Sequence, residues 1–354
     1  MFPAATPALC GSVLVASAGP PNRSRQCSSA WKTIRISIPR AMRRKLFPGF
    51  RGAPFTTRKK KIPENIYQDE TEQVSRKGRR MDLLFYNRVP KTGSRSVLQV
   101  FGILAKQNKF TLESNLTKIN GRNYFNTEEA LVSFAKEVSD LSGPVIYSRH
   151  IHYINFTRLG FQQPLYINVV REPIERRISH YYYSKYGSHS GHYKSQKNDA
   201  TLTPNNATIE TLDECVQQSR RPSCKMFNML TPFFCGHQQI CMSKKREAVQ
   251  RAKRAITQDY TVVGLTEDLP AFMQALEFFL PQFFRNSTVV HQFVEDRAHQ
   301  MFSTVKKHQP NEATVAIIRR ELALDVELYQ FLKQRFYRML KKIKKAYVRK
   351  EPAR

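Results

Sequence analysis

Residues 83–104 read LLFYNRVPKTGSRSVLQVFGIL, an apolar run followed by a polar loop and an amphipathic stripe. The apolar run at 83–86 predicts a buried strand. After the loop, apolar side chains recur at intervals of three and four residues, which is the spacing of one helix face. These side chains are Val97, Val100, Phe101 and Leu104. The loop therefore joins a buried strand to the N-terminus of a helix.

That loop has the composition of an anion-binding site. Unpaired N–H groups at a helix N-terminus attract phosphate or sulfate oxygens. Lys91 supplies a positive charge, Gly93 lets the backbone approach closely, and hydroxyls come from Thr92, Ser94 and Ser96. The common nucleotide loop, Gly-x4-Gly-Lys-Ser/Thr, is absent because the lysine here precedes the glycine. A surface turn that holds Lys-Thr-Gly-Ser by chance is the alternative.

A second segment repeats this arrangement. The run LYINVV at 165–170 predicts a strand, and Pro173 suits the first turn of the helix that follows it. Arg171 at the strand end and Ser179 two turns into the helix are placed to meet one phosphate, unless Arg171 only pairs with Glu175. Open α/β sheets bind ligands at the carboxyl ends of their strands. The sequence therefore predicts an α/β fold with both segments at one site.

The net charge indicates which partners the chain attracts. It has 354 residues, with 58 Lys or Arg against 28 Asp or Glu and a net charge of +30. Nucleic acid, sulfated polysaccharide and anionic membrane are all candidate partners on this ground. Hydrophobic residues make up 41%, enough for one large domain or two small ones. No run of about 18 uncharged apolar residues occurs, so no ordinary transmembrane helix is predicted.

Residues 1–80 are interpreted as a basic, mostly disordered tail, because they hold many prolines and no sustained hydrophobic period. Residues 1–63 carry 13 Lys or Arg and no acidic residue, as in a mitochondrial transit peptide. An apolar run that ends at Ala18 instead resembles a signal peptide, and composition does not choose between the two. We expect the folded domain at 81–348 and a short C-terminal tail at 349–354.

Four cysteines cluster near the middle of the chain. No Cys-x2-Cys pair is present, which disfavours a zinc site. We predict the disulfides Cys215 with Cys224 and Cys235 with Cys241, because each closes a small loop; four buried free thiols are the alternative. Sequons occur at Asn22, Asn115, Asn155, Asn206 and Asn286. The last four are predicted glycosylation sites, and with paired cysteines they favour a secretory-pathway lumen.

Three motifs follow one another along the predicted domain. They are PKTGSRS at 90–96, YINVVREPIER at 166–176 and PFFCGH at 232–237. Together they resemble the uronyl 2-O-sulfotransferases of glycosaminoglycan synthesis, a family that includes the heparan sulfate 2-O-sulfotransferases. The resemblance runs from about residue 83 to residue 348. Several motifs in a fixed order are far more specific than any one alone.

The resemblance implies a single P-loop-like sulfotransferase domain, with a central parallel sheet flanked by helices. The sulfuryl donor of the family is 3′-phosphoadenosine 5′-phosphosulfate (PAPS), and no metal is implied. By resemblance, Arg171 and Ser179 hold its 3′-phosphate, and the loop holds its 5′-phosphosulfate. The loop residues are Lys91, Thr92, Gly93, Ser94, Arg95 and Ser96. Lys91 also has a catalytic role, since it stabilises the charge on the departing phosphate.

The catalytic base is expected in the segment SRHIHYINF at 148–156. The sugar hydroxyl must lose its proton as it attacks sulfur, and neutral imidazole suits this near pH 7. Counting back from the Asn-Phe pair at 155–156 matches the family's catalytic histidine to His150. Matching the His-x-His pair of the heparan branch would select His152 instead. We prefer His150 and interpret Arg88 and His152 as acceptor-binding residues.

The acceptor implied by the resemblance is a sulfated glycosaminoglycan. The motifs are mixed, because PKT at 90–92 looks like the heparan branch. GSR at 93–95 and RHIH at 149–152 look like the branch that acts on dermatan and chondroitin sulfate. We favour dermatan and chondroitin sulfate, with heparan sulfate as the alternative. Family members are type II membrane proteins of the Golgi lumen, so the resemblance implies this localisation and a membrane association. The N-terminal membrane helix of the family is not found in this sequence. A homo-oligomer is possible.

Two other classes of protein would explain part of the sequence. A nucleic-acid-binding protein would explain the charge, but no recognised reading module occurs, so we predict no nucleic-acid partner. A P-loop kinase would explain the loop, but no magnesium-binding motif is evident.

The C-terminal part of the chain carries further basic stretches. A long helix is expected from residue 312, and residues 333–350 at its end hold nine Lys or Arg and no acid. Lys306 and Lys307 lie in a polar stretch that could close over donor or acceptor. A solvated surface is the alternative for both stretches.

Overall fold

Five parallel strands form the central sheet of the computed structural model, which describes residues 78–114, 124–189, 211–218, 224 and 226–348. The spatial order is β2-β3-β1-β4-β5, and all four neighbouring pairs are parallel. The strands are β1 (Arg79–Asn87), β2 (Thr111–Glu113), β3 (Val145–Arg149), β4 (Gln163–Val170) and β5 (Tyr260–Leu265). The predicted α/β fold with a central parallel sheet flanked by helices is confirmed.

Helices connect these strands and pack against the sheet. They are α1 (Ser94–Asn108), α2 (Glu128–Ser139), α3 (Pro173–Tyr186), α4 (Leu212–Gln218), α5 (Leu230–Cys235), α6 (Arg246–Asp259), α7 (Leu269–Phe279), α8 (Pro281–Phe284), α9 (Ser287–Phe302), α10 (Glu312–Glu321) and α11 (Ala323–Val348). Short 3₁₀ turns occur at Thr157–Leu159, Gln239–Met242 and Thr266–Asp268.

Burial explains why the strands read as continuous apolar runs. Every residue of β4 is buried, and so are the last five of β1. Phe85 of β1 lies among aromatic rings, with centroids 5.1 Å from Tyr147 and 5.0 Å from Tyr166. Because parallel sheets are covered on both faces, their strands lose the alternation of apolar and polar residues that marks a one-sided sheet.

The strand order places a ligand-binding edge at the end of β1. The chain leaves β1 for β2 and β3 on one side and then crosses to β4 and β5 on the other. In open α/β sheets, ligands bind at such a reversal, outside the carboxyl ends of the strands. The loops after β1 and β4, which hold the two anion-binding segments predicted from sequence, both leave the sheet at this edge.

Two helix boundaries differ from expectation. α1 begins at Ser94 with Gly93 at its N-cap, so the last part of the predicted loop is the first helical turn. The helix expected from residue 312 is two helices, α10 and α11, that are separated at Leu322 (φ −99°, ψ 22°). Leu322 is apolar and fully buried, so the break does not interrupt the hydrophobic pattern. Pro173 lies in the first turn of α3, as predicted.

Both predicted disulfides are present. Cys215 pairs with Cys224 and Cys235 with Cys241, with Cα atoms 5.3 and 5.4 Å apart. Within the part of the chain that the structure describes, none of the helices has the length and hydrophobicity of a membrane span.

The structure describes only the part of the chain around the predicted boundary between the N-terminal tail and the domain and up to residue 348. β1 begins at Arg79, inside the segment assigned to the tail at 1–80. Residues 1–77 and 349–354 lie outside the described residues, so the two tails stay predictions.

Candidate active site

The loop after β1 combines two left-handed backbone conformations with a buried hydroxyl hydrogen bond. Gly93 adopts φ +74°, the left-handed conformation that glycine tolerates without strain. Lys91 also has a positive φ, of 68°. Thr92 is fully buried, and its hydroxyl donates to the carbonyl of Val89 over 2.9 Å. These contacts turn the backbone sharply into α1, whose first N–H groups face the loop.

Thr266, for which no role was predicted from sequence, connects this loop to the end of β4. Its Oγ1 lies 2.9 Å from the carbonyl oxygen of Thr92 and 3.0 Å from that of Val170. Thr266 directly follows β5 and so lies at the same carboxyl edge of the sheet. This position after a predicted strand is the one sequence signal that could have indicated a role for Thr266. The hydroxyl thus fixes the loop after β1 relative to the end of β4.

Thr304 lies between the two predicted anion-binding segments. Its Oγ1 accepts a hydrogen bond from Lys91 Nζ over 3.2 Å and lies 3.3 Å from Ser179 Oγ. The Lys91 ammonium also sits over the Tyr183 ring, 3.6 Å from its centroid. Lys91 and Ser179 were predicted to meet the two ends of one ligand, and a single threonine hydroxyl touches both. The structure therefore brings these two segments together.

Burial changes the acid–base behaviour of Lys91. Removal from water, helped by the positive charges of Arg95 and Arg171, lowers the pKa of Lys91 to about 7. Burial favours the neutral amine, and two nearby cations act in the same direction. An anion placed between these three cations would reverse the second effect. The charges of Arg95 and Arg171 thus act together with that of Lys91 at one place in the fold.

Arg171 forms an ion pair with Glu175, the pairing that the sequence offered as the alternative to phosphate binding. Its Nη2 lies 3.1 Å from Glu175 Oε2, and the same oxygen lies 2.7 Å from Lys307 Nζ. The side chains of Arg171 and Lys307 are each 24% exposed. Glu175 therefore holds two cations beside the end of β4 and links the stretch with Lys307 to this edge, while closure over donor or acceptor stays a prediction.

The first turn of α1 presents the rest of the predicted loop. Arg95 donates from Nη1 to Ser188 Oγ over 3.1 Å, and its guanidinium lies 4.9 Å from the Phe302 ring centroid. Ser94 is buried and Ser96 is half-buried. Arg95 is thus directed toward the segment that carries Ser188 and, through the Ser188–Thr304 bridge, toward the Lys91 side chain.

One ring nitrogen of His150 is hydrogen-bonded to the backbone. Nδ1 lies 2.8 Å from the carbonyl oxygen of Arg88, which can only accept, so Nδ1 carries a proton and donates it. In the neutral ring, Nε2 then holds the free lone pair. Burial, reinforced by the charge of Arg88, lowers the pKa of His150 to about 4. The ring is therefore neutral near pH 7, with its basic nitrogen pointing away from the Arg88 carbonyl.

His152 makes a similar bond in a more enclosed place. Its Nδ1 donates to the carbonyl of Gly236 over 3.2 Å, and burial lowers the pKa of His152 to about 4. The ring centroid lies 4.7 Å from that of Phe233 and 5.7 Å from that of Tyr124. Only 6% of the residue is exposed.

His237, in the motif PFFCGH, holds the His152 segment in place. Its Nδ1 accepts from the backbone N–H of Phe125 over 2.9 Å, so Nε2 carries the proton and donates to the carbonyl of His152 over 3.3 Å. Burial lowers the pKa of His237 to about 3. The ring stacks on Tyr124 at 5.4 Å. No role was predicted for His237 from the PFFCGH motif.

Arg88 lies close enough to His150 for its charge to lower the pKa of that histidine. Burial lowers the pKa of Arg88. Its Nε is buried and has no hydrogen-bond partner among the described residues. Buried polar groups are almost always paired, so this nitrogen is suited to an anionic oxygen that comes from outside the chain.

Two of the four predicted glycosylation sites are described. Asn155 and Asn286 are both exposed. Asn115, Asn206 and the sequon at Asn22 lie outside the described residues. Exposure is what attachment of a glycan requires, and modification at each position stays a prediction.

Residues 79–332 match the model of the sulfotransferase family. The chain belongs to the sulfotransferase family. The matched range includes all five strands, the loop with Lys91, the segment from Arg171 to Ser179 and both candidate histidines. Among the described residues, no three His, Cys, Asp or Glu side chains are grouped so that they could hold a metal ion.

Proteins similar to this chain include both uronyl and heparan sulfate 2-O-sulfotransferases. The chain is 31% identical over 281 residues to Uronyl 2-sulfotransferase of Homo sapiens, covering 76% of this chain and 66% of the relative. It is 34% identical over 279 residues to Uronyl 2-sulfotransferase homolog pip of Drosophila melanogaster, covering 73% and 52%. It is 33% identical over 263 residues to Heparan sulfate 2-O-sulfotransferase 1 of Xenopus laevis, covering 72% and 70%.

The resemblance inferred from the three motifs is confirmed by these matches. Both the uronyl and the heparan sulfate branches are represented at nearly the same identity. The chain spans between about half and two thirds of the length of the two uronyl relatives.

Proposed function

We propose that this chain is a glycosaminoglycan 2-O-sulfotransferase, which transfers a sulfuryl group from PAPS to the 2-hydroxyl of a uronic acid residue. The observation that carries the proposal is the meeting of Lys91, Ser179 and the end of β4 at one edge of a parallel sheet, with His150 following β3 at the same edge. Family membership and relatives named for 2-sulfation support the reaction type.

The loop after β1 suits the sulfated end of the donor. Backbone N–H groups at the start of α1, the Lys91 ammonium and the hydroxyls of Ser94 and Ser96 form a donor set for phosphate and sulfate oxygens. Gly93 has φ +74°, and a Cβ there would meet Thr266 Cγ2 at an ordinary contact distance of 3.4 Å, so it is the backbone conformation of the loop that favours glycine. Bound PAPS supplies the sulfuryl group. Lys91 would offset the negative charge that develops on the leaving phosphate.

Arg171 and Ser179 are the proposed ligands of the 3′-phosphate. Arg171 is held by Glu175 in the structure, and a phosphate would compete for its guanidinium. Because Lys307 also pairs with Glu175, Arg171 can turn to the phosphate without leaving that carboxylate uncompensated. Ser179 is already directed toward Lys91 through Thr304. This geometry supports a donor that spans the two segments.

His150 is the proposed general base. Its Nδ1–H is fixed to the Arg88 carbonyl, which leaves Nε2 to take the proton of the acceptor hydroxyl. A carboxylate or sulfate of the acceptor beside Arg88 would cancel part of the charge that lowers the pKa of His150, and so make the base stronger when acceptor is bound. His152 is enclosed by aromatic rings, which supports a role in shaping the acceptor site instead.

The proposed acceptor is dermatan or chondroitin sulfate, with heparan sulfate as the alternative. The GSR and RHIH motifs support the first branch, whereas the PKT motif supports the second. We also propose lumenal localisation in the Golgi as a type II membrane protein, with homo-oligomer formation left open. The two disulfides support an oxidising compartment, since disulfides persist there and are rare in cytosol.

Disaccharide analysis tests the proposal directly. Purified full-length chain is incubated with isotopically labelled PAPS and either dermatan or heparan sulfate that has been 2-O-desulfated. Label on the 2-position of uronic acid supports the reaction, and the acceptor that gains more label decides the branch. Label on no glycosaminoglycan, from a chain that binds adenosine 3′,5′-bisphosphate, would contradict it. Retention on DNA resin but not on bisphosphate resin would favour a nucleic-acid-binding protein.

A further inference from the structure

The C-terminal half of α11 has a positively charged face that the proposed reaction does not use. Residues 333–350 contain no acidic residue. The exposed cations on this part of the helix are Lys333, Arg338, Lys341, Lys342, Lys344 and Lys345. Lys342 has a partner, and none of the other five makes an ion pair with a residue that the structure describes. An unpaired row of cations is costly to keep without an anionic partner, because like charges on neighbouring turns repel.

Helical spacing arranges these cations in a continuous row. Arg338, Lys341 and Lys345 follow one another at three and four residues, so they lie on one face of α11. We call these three residues the basic stripe. A shallow groove of about 430 Å³ runs along the same face and is lined by Gln330, Lys333, Gln334, Tyr337, Arg338 and Lys341. Repeating cations beside a groove suit an extended polyanion better than a single small anion.

The basic stripe lies away from the candidate active site. Tyr329 of α11 donates to Glu267 Oε2 over 3.3 Å, near the carboxyl end of β5. Arg335 donates to the carbonyl of Tyr260, at the amino end of the same strand, over 3.0 Å. The helix therefore runs from the edge with the Lys91 loop toward the opposite edge. At 1.5 Å per residue, the end of the described helix is roughly 27 Å from Tyr329.

Three carboxylates lie near the tyrosines of this part of α11. Glu267 and Asp268 lie close enough to Tyr337 to raise its pKa together with burial, which is the larger cause. Glu277 acts in the same way on Tyr347, again after burial. Tyr337 lines the groove together with Arg338 and Lys341, whereas Tyr347 packs against Phe278 of α7. Lys333 and the basic stripe supply four cations against the two carboxylates beside Tyr337, so the charge along the groove stays positive.

We propose that the basic stripe is a second binding surface for the sulfated polysaccharide acceptor. The identity of the polymer rests on the proposed function. A sulfated chain carries negative charge along its length, which matches cations repeated at each helical turn. A long chain can contact the stripe and the active site together, whereas a short oligosaccharide reaches only one of them. The stripe therefore raises the affinity for long acceptors through a higher effective concentration.

The test uses the full-length chain with Lys341→Glu/Lys345→Glu. Arg158→Glu/Arg285→Glu is the matched control, because it makes the same change in net charge at two exposed arginines on other elements. Affinities for a long dermatan sulfate chain and for a defined tetrasaccharide are measured over a range of NaCl concentrations. Thermal unfolding of each variant shows whether it folds, and Lys341→Gln/Lys345→Gln replaces the reversal if it does not.

We expect about tenfold weaker binding of the long chain to the stripe variant, and a salt dependence of log affinity that is shallower by about one to two. The affinity of the tetrasaccharide and the turnover with it should be unchanged. Equal losses in the control variant, or an equal loss for the tetrasaccharide, would overturn the proposal. Unchanged long-chain affinity together with weaker binding of duplex DNA or of phosphatidylserine vesicles would overturn it too, by assigning the stripe to another polyanion.

Failure of the proposed function gives a different result. If no acceptor gains sulfate from the wild-type chain, yet the stripe variant binds long dermatan sulfate more weakly than the control does, the binding surface is supported and the reaction is not.

Discussion

The buried ammonium of Lys91 should make donor binding depend on pH. Burial first, and then the charges of Arg95 and Arg171, lower its pKa to about 7. Only the protonated amine can pair with a phosphate or sulfate oxygen, so affinity should fall as the pH rises through 7. A group with this pKa is about 90% protonated at pH 6 and only about 1% protonated at pH 9.

The expected loss of donor affinity follows from the free energy of one hydrogen bond to a charged group. A hydrogen bond to a charged group contributes about 1.5 to 3 kcal/mol. Loss of the Lys91 cation should therefore weaken binding of adenosine 3′,5′-bisphosphate by about ten- to a hundredfold between pH 6 and pH 9. Bound phosphate raises the pKa of Lys91 in the complex, so binding takes up a proton between these limits.

Isothermal titration calorimetry at four pH values measures this directly. Lys91→Met removes the titrating amine, and its remaining pH dependence reports the phosphates of the ligand, whose second pKa is about 6. Lys91→Arg keeps the charge and should retain its affinity at pH 9. If the wild-type curve runs parallel to that of Lys91→Met, the ammonium does not titrate in this range or does not touch the ligand, and the reasoning is refuted.

Three further outcomes are expected. Arg171→Ala should weaken donor binding about tenfold or more in calorimetry with acceptor affinity nearly unchanged, and equal donor affinity would remove it from the 3′-phosphate site. His150→Ala should lower kcat by about 10² to 10⁴ with donor affinity retained, and His152→Ala should lower kcat less; the reverse order would move the base to His152. Asp325→Ala should lower the free energy of unfolding by about 3 to 5 kcal/mol in chemical denaturation, because this fully buried carboxylate accepts from the backbone N–H groups of residues 229–231. A loss under about 1 kcal/mol would contradict that role.

The strand–loop–helix unit that carries Lys91 was predictable because everything that defines it is local. A buried strand, a polar loop with glycine and a helix with a regular apolar stripe follow one another within 83–104. Pro173 marked the second helix in the same way. The two short disulfides were predictable for the same reason, because partners nearby in sequence close small loops. The break at Leu322 was not, because one hydrophobic pattern continues through both helices.

The residues that complete the site are distant from it in sequence. Thr266 and Thr304 touch the loop from positions far along the chain, and neither stands in a motif. Asn168 is polar within a fully buried strand, which strand periodicity alone would disfavour. Its side-chain amide donates to Oδ1 of Asn87 at the end of β1, over 2.9 Å. This hydrogen bond depends on the pairing of β1 with β4, which are far apart in sequence. No local sequence pattern therefore predicts the bond.

The amino-acid sequence by itself determined the α/β class, the positions of the two segments that follow β1 and β4, and the family resemblance, because strand, loop and helix signals depend on near neighbours. Tertiary structure alone decided that Thr304 lies between Lys91 and Ser179, and that Arg171 is held by Glu175 and Lys307. It also decided which nitrogen of His150 stays free, since the Arg88 carbonyl that orients the ring comes from the neighbouring loop. Burial, pKa and hydrogen-bond direction are properties of packing, and packing joins residues that the sequence keeps apart.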